Sequence, residues 1–227
     1  MEEKKDEGLL AHSVVPGFIP SGSSRGFSAI IVTVAGCNLR CKYCSRYSVS
    51  RTGENILDEE YVLEMMQKHP NIKRVFITGG EPCMRRNMKH FIETITEKGY
   101  EVIMETNGSM WPQGFYKAAH GLSKVVIRPK MSYNRPSMYE DTKIHEKENN
   151  SWNYFDYFMH YSKSYEFHYE VGCEMDVEAV KKHIKTHEIS NEKVWLSSRK
   201  DIDMEAMEKI NEMLETACLE MGWNLDK

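Results

Sequence analysis

The chain has 227 residues, 41% of them hydrophobic and 28% charged, which excludes collagen-like, coiled-coil and largely disordered architectures and leaves room for one medium-sized domain. With 30 Lys and Arg against 34 Asp and Glu the formal net charge is −4, and no basic block interleaved with aromatics appears, so direct nucleic-acid binding is not expected. Met1 to Glu7 alternate in charge and lead into no apolar run, and the longest apolar stretch, Ala29 to Gly36, falls far short of the roughly 18 residues of a membrane span. The expectation is a cytoplasmic protein with no membrane contact, whose thiols stay reduced.

Residues 1–27 read as an N-terminal segment. Beyond it, short β-branched runs alternate with segments of helical spacing, the pattern of a parallel α/β sheet. Six strands are predicted: Ala29 to Val34, Arg74 to Thr78, Glu101 to Glu105, Lys124 to Ile127, Glu166 to Val171 and Val194 to Ser197. Asp58 is positioned to cap a helix with Tyr61, Val62, Met65 and Met66 on one face, ending near Pro70. Phe91, Ile92 and Ile95 mark a second helix, stopped by Gly99. Residues 133–163 are polar, aromatic and charged and read as an insertion or lid. In the last helix Met207, Ile210, Met213, Leu214, Ala217, Cys218 and Met221 recur at three- and four-residue steps. A full eight-stranded βα barrel needs about 250 residues, so six strands predict a partial, open (βα)6-type barrel formed by the whole chain as a single domain.

A chain of this length buries roughly 70% of its unfolded surface and needs no disulfide framework, so its six cysteines call for chemistry or packing. Cys37, Cys41 and Cys44 form a CxxxCxxC loop directly after the first predicted strand. Three thiols in eight residues can converge on one inorganic centre, either an iron–sulfur cluster with one open iron or, with a fourth ligand, a structural zinc. Cys83, Cys173 and Cys218 are the available fourth cysteines, and Cys218 has the simpler explanation of a small buried residue on a helix. His183 and His187, four apart on a predicted helix, have metal-ligand spacing, but Lys181, Lys182 and Lys185 beside them favour a solvated face. After the second strand comes Gly79-Gly80-Glu81-Pro82, where two glycines permit a close backbone approach and Glu81 brings a carboxylate toward a bound amine.

CxxxCxxC after the first strand and GGEP after the second resemble the radical S-adenosylmethionine superfamily, over about Ala29 to Lys130. The resemblance implies that Cys37, Cys41 and Cys44 hold a 4Fe-4S cluster whose free iron binds the methionine moiety of S-adenosylmethionine. It also implies reductive cleavage to a 5′-deoxyadenosyl radical that abstracts hydrogen from a small-molecule substrate. Tyr43 resembles the residue whose backbone meets the adenine, and Gly79, Gly80 and Glu81 the motif that holds the amine. Thr106, Asn107 and Lys130 stand where the superfamily often contacts the cofactor.

Within the superfamily, Ala35 to Cys41, Ile77 to Pro82, Glu105 to Gly108 and the Pro129-Lys130 pair most resemble the 7-carboxy-7-deazaguanine synthase family. That resemblance implies a homodimer, a magnesium ion, an electron donor such as flavodoxin or ferredoxin, and ring contraction of 6-carboxytetrahydropterin. Four departures fall on substrate and magnesium positions. Ser45-Arg46 replaces Asp-Thr, Pro20 to Gly26 replaces a Gln-Gly-Glu-Gly segment, Thr33 replaces an arginine and Arg128 replaces a serine. The expectation is a substrate clamp rebuilt around Arg25, Arg46 or Arg128, pairing with a carboxylate. The alternatives are the same scaffold with another substrate, a radical-generating activase of a glycyl-radical enzyme or anaerobic ribonucleotide reductase, and, outside enzymes, a zinc-stabilised binding module.

Overall fold

The computed structural model describes residues 9–46, 55–57, 59–136, 139–149 and 154–226; the proposed Asp58 cap and the middle of the 133–163 segment lie outside them. One nine-stranded sheet runs β3 (Asn55–Leu57), β1 (Leu9–Phe18), β2 (Ser28–Val34), β4 (Arg74–Gly79), β5 (Glu101–Thr106), β6 (Lys124–Ile127), β7 (Tyr165–Val171), β8 (Val194–Ser198), β9 (Asn224–Leu225). From β2 to β9 every neighbouring pair is parallel, while β1 joins β2 and β3 antiparallel. The sheet is therefore open, with β3 and β9 at its edges. Every one of the six predicted strands is present.

Strand alternation splits the apolar residues between two faces. Val75 and Ile77, Val102 and Met104, and Val125 and Ile127 join the main core with the helices. The residues between them, Phe76, Ile103 and Val126, meet Ala29 and Ile19 in a small inner cluster. Burial on both faces explains why β4 reads as a continuous apolar run. The outer helices are α1 (Glu59–Lys68), α2 (Met88–Glu97), α3 (Tyr116–Gly121), α4 (Tyr139–Asn149), α5 (Phe155–Tyr161), α6 (Glu174–Thr186) and α7 (Met204–Met221). Phe91, Ile92 and Ile95 of α2 are fully buried, and Gly99 follows the helix with φ +84°. On α1, Val62 and Met66 are buried but Tyr61 is 40% exposed, outside the expected stripe.

Two expectations are corrected and one is sharpened. Residues 9–18 are strand, although Ser13, Pro16 and Gly17 interrupt the apolar pattern; Pro16 lies in the half of β1 that has only β2 beside it, where a missing N–H costs no ladder bond. Of the 133–163 segment, expected to be an insertion or lid, the described helix α5 is part of the body of the fold: Phe155 and Phe158 enter the main core, and Trp111 meets Phe115, Tyr157, Phe158 and Tyr161 with ring centroids 5.0 to 5.9 Å apart. His183 does not sit on a solvated face: it is buried, its Nδ1 lies 2.9 Å from the Tyr169 hydroxyl, and its ring packs on Phe155 and His187. No helix among the described residues is long and apolar enough to cross a membrane.

Burial, with the neighbouring His187 adding to it, pushes the His183 imidazole down to about 3. An unfolded histidine titrates near 6.5, so the native state resists a proton that the unfolded chain takes up, and stability is lost as pH falls below that value. Urea midpoints should show the parent chain losing about 2 kcal/mol more than His183→Gln between pH 7.5 and pH 5. Equal losses would mean that His183 takes up its proton inside the fold.

Candidate active site

A cavity of about 500 Å³ opens at the carboxyl ends of the strands. Cys37, Cys41 and Cys44 line it together with Tyr43, Gly79, Gly80, Thr106, Asn107 and Lys130, and so do Arg25, Arg46 and Arg128. The fold thus gathers the cluster, cofactor and arginine candidates except Glu81, which lies beneath the lining; Cys83, Cys173, Cys218, His183 and His187 stand outside it.

The glycines serve the backbone first. Gly80 N donates to Val34 O at 2.9 Å and Glu81 N to Gly36 O at 2.8 Å, so the turn after β4 docks against the chain entering the cysteine loop. A Cβ on Gly80 would stand 1.8 Å from Gly36 O, which no side chain tolerates. Glu81, fully buried, accepts from Cys83 N at 2.9 Å, Thr106 Oγ1 at 2.7 Å and Asn107 N at 2.7 Å. Burial raises its carboxyl, and these three donors oppose the rise. The expected side-chain contact from Glu81 to a bound amine is therefore corrected: the carboxylate is spent joining two turns, and Gly79 and Gly80 present backbone to the cavity instead.

That junction continues to the first cysteine. Asn107 Nδ2 donates to Asn38 Oδ1 at 3.0 Å and lies 3.9 Å from Cys37 Sγ, while Leu39 N donates to the same sulfur at 3.4 Å. Asn38 Nδ2 reaches Ser109 Oγ at 2.8 Å. On the loop's other side, Lys42 N donates to Asn134 O at 2.9 Å, and Arg40 N meets His145 Nδ1 of α4 at 3.3 Å. The segment expected to be a lid braces the cysteine loop.

Burial pushes the Cys37 thiol up to about 12, helped by the charge of Glu81. The Cys41 thiol rises to about 11 through burial, against the pull of the Lys130 ammonium. All three are free thiols. Thiols so placed ionise only when a cationic centre compensates the charge, which is the chemistry of a metal-cluster ligand. Three thiols lining one cavity, with N–H groups aimed at Cys37, fit a 4Fe-4S cluster. Among the described residues no three His, Cys, Asp or Glu side chains close around a single ion; a cluster, whose irons each take one thiolate, asks for more widely spread sulfurs. Cys83 is buried under the turn beside Thr106, Cys173 is exposed at the start of α6, and Cys218 packs in α7, so none of them lines the cavity.

The cavity lining also holds a chain of ions, in which the three expected arginines meet acidic partners that the sequence does not single out. Glu105, ending β5, takes Arg128 Nε at 2.7 Å and Arg46 Nη1 at 3.2 Å, and also accepts from Thr78 Oγ1 at 2.8 Å. Burial alone would raise Glu105, but the Arg128 and Arg46 guanidiniums hold it well below the usual carboxylate range. Arg128 also reaches Ser21 Oγ at 2.9 Å and Glu170 at 3.7 Å, and Arg25 pairs with Asp226 at 3.2 Å. The three arginines expected to form a substrate clamp each have an acidic partner in the cavity wall. Glu105 opens the Glu105 to Gly108 run without a role assigned from sequence, and Glu170 and Asp226 carry no motif; only their place at the strand ends marks them.

The radical SAM superfamily profile matches residues 31–146, just over half of the chain. The chain belongs to the radical SAM superfamily. It resembles 7-carboxy-7-deazaguanine synthase of Aquifex aeolicus, 30% identical over 128 residues that cover 56% of this chain and 57% of that protein. The corresponding synthase of Hyperthermus butylicus is 39% identical over 90 residues, 38% of this chain and 37% of that one. These matches span little more than half of those relatives at most. In fold, the chain is similar to the crystal structure of QueE from Escherichia coli, with a TM-score of 0.62 and 17% identity over 96% of this chain and 92% of that one. This radical SAM enzyme is therefore related to deazaguanine synthases, and its superfamily implies a 4Fe-4S cluster, S-adenosylmethionine, a substrate and a reductant. Magnesium gains no such support.

Removing the Glu81 carboxylate strands three donors, two of them buried backbone N–H groups. Glu81→Ala should cost about 3 kcal/mol or more of unfolding free energy in a urea titration, and should weaken S-adenosylmethionine binding by loosening Asn107. Unchanged stability would show that the turns hold without it.

Proposed function

We propose that Cys37, Cys41 and Cys44 bind a 4Fe-4S cluster and that the adjoining cavity takes S-adenosylmethionine, with substrate against the wall of Glu105, Arg128 and Glu170. When bound, this pair supplies a 5′-deoxyadenosyl radical that abstracts a hydrogen atom. The observation that carries the reading is the shared cavity, lined by the three thiols, by Gly79 and Gly80 and by the paired charges of Glu105, Arg46 and Arg128.

Each protein group has a part that follows from its placement. Gly79 and Gly80 line the cavity and offer backbone to an amine, and Lys130, already beside Cys41, offers an ammonium to a carboxylate. Tyr43 and Thr106 lie along the lining where an adenosine fits, and Asn107 holds the cysteine loop in register with them. Arg46, Glu105 and Arg128 keep their charges fixed before substrate arrives, so orientation costs little reorganisation. The substrate we infer is 6-carboxytetrahydropterin, contracted to 7-carboxy-7-deazaguanine. Support comes from the relatives' identity and from a cavity lined by paired donors and acceptors suited to a polar heterocycle. The enzyme would work as a single catalytic domain, as a homodimer reduced by a flavodoxin or ferredoxin. A second reading keeps the radical chemistry with another substrate, and the engagement of Arg46 and Arg128 by Glu105 favours it.

Anaerobic turnover with S-adenosylmethionine, dithionite and 6-carboxytetrahydropterin, followed by mass spectrometry, separates the two. Both 5′-deoxyadenosine and the deazapurine are expected, and neither above background from Cys41→Ala. Deoxyadenosine without the deazapurine would overturn the substrate assignment and leave the radical enzyme standing.

A further inference from the structure

A second charged cluster lies where β7 and β8 end. Arg199, directly after β8, places its guanidinium carbon 3.8 Å from the ring centroid of Tyr43. From behind, the guanidinium is held by Asp176 at 3.8 Å and Asp201 at 3.2 Å. Asp176 is itself fixed, nearly buried and accepting from Gly172 N at 2.8 Å. Gly172 makes the space, for a Cβ there would stand 2.3 Å from the guanidinium carbon. The arginine is thus seated in a backbone groove with one face left for the tyrosine. The other cation near that ring, Lys42 at 4.9 Å, is exposed and adjacent in the chain, so it anchors nothing distant.

Tyr43 immediately precedes Cys44. Cys37 is held by Leu39 N and Asn107, and the chain after Cys41 by Lys42 N on Asn134, so each earlier cysteine has a brace from outside the loop. We propose that Arg199 is the positioning residue for the third cysteine: stacked on Tyr43, it ties the Tyr43-Cys44 turn to the end of β8. This inference rests on the reading that the three cysteines hold a cluster. A cation on a half-buried aromatic face is worth roughly a tenfold shift in an equilibrium, enough to decide whether the turn stays closed over its metal.

The test follows cluster integrity rather than turnover. Reconstituted parent, Arg199→Gln, Arg199→Lys, Gly172→Ala and Tyr43→Leu would be exposed anaerobically to an iron chelator, with iron release followed by absorbance and folding by thermal melting. Arg199→Gln and Tyr43→Leu should each release iron about tenfold faster, and the double variant no faster than either. Arg199→Lys should fall between. Gly172→Ala leaves the arginine intact but evicts its flexible tip, so it should match Arg199→Gln while melting near the parent. Parent-like release from Arg199→Gln and Gly172→Ala, or multiplied effects in the double variant, would overturn the proposal. A parent chain that takes up no iron and sulfide would instead refute the cluster reading, and this inference with it.

Discussion

The arrangement depends on one buried carboxylate. Glu81 cannot reach water, and its oxygens are occupied by donors from its own turn and from the turn after β5. That bond fixes the distance between two strand ends whose loops must cooperate, because Asn107 can touch Cys37 and Asn38 only if the β5 turn stays in place. A neutral side chain of the same size would satisfy fewer of these donors. An acidic residue follows the glycines here because three N–H and O–H groups point at one place, and only an acceptor-only group answers all of them.

The charged part of the cavity lining follows the same logic with full charges. Burying Glu105 costs free energy that only close cations offset, and Arg128 and Arg46 supply them. The segment between β1 and β2 completes the wall. Ser21 reaches Arg128, Gly22 N donates to Asp226 at 3.2 Å, and Ser23 donates to Glu166 at 2.7 Å. Gly22 takes φ +73° with Glu166 and His168 against its Cα, so a side chain would push this segment out of the barrel. Paired ions on a rigid wall orient a polar substrate without attracting every anion in reach.

The parallel strands and the cysteine loop were legible because their signals are local: β-branched runs buried on both faces, and thiols too close in sequence to scatter. Strand β1 was not, since Ser13, Pro16 and Gly17 break its pattern and its existence depends on pairing with β2. Helix α4 is too polar to announce itself, yet it reaches the cysteine loop through His145. Glu81, Arg25, Arg46 and Arg128 lie in the neighbourhood the sequence indicates, but sequence locates a residue at a strand end and not which protein neighbours meet its side chain. His183 was misread for the same reason: flanking lysines mark a wet helix, and Tyr169 and Phe155 on other elements make its own face dry.

Cluster and S-adenosylmethionine are proposed to share the cavity at the strand ends. The most direct test is electron paramagnetic resonance of the anaerobically reconstituted, dithionite-reduced protein, with iron, zinc and acid-labile sulfide quantified on the same sample. The account predicts iron and sulfide in equal amounts and a 4Fe-4S signal that changes shape when S-adenosylmethionine is added. A signal indifferent to S-adenosylmethionine, or bound zinc without sulfide, would contradict it.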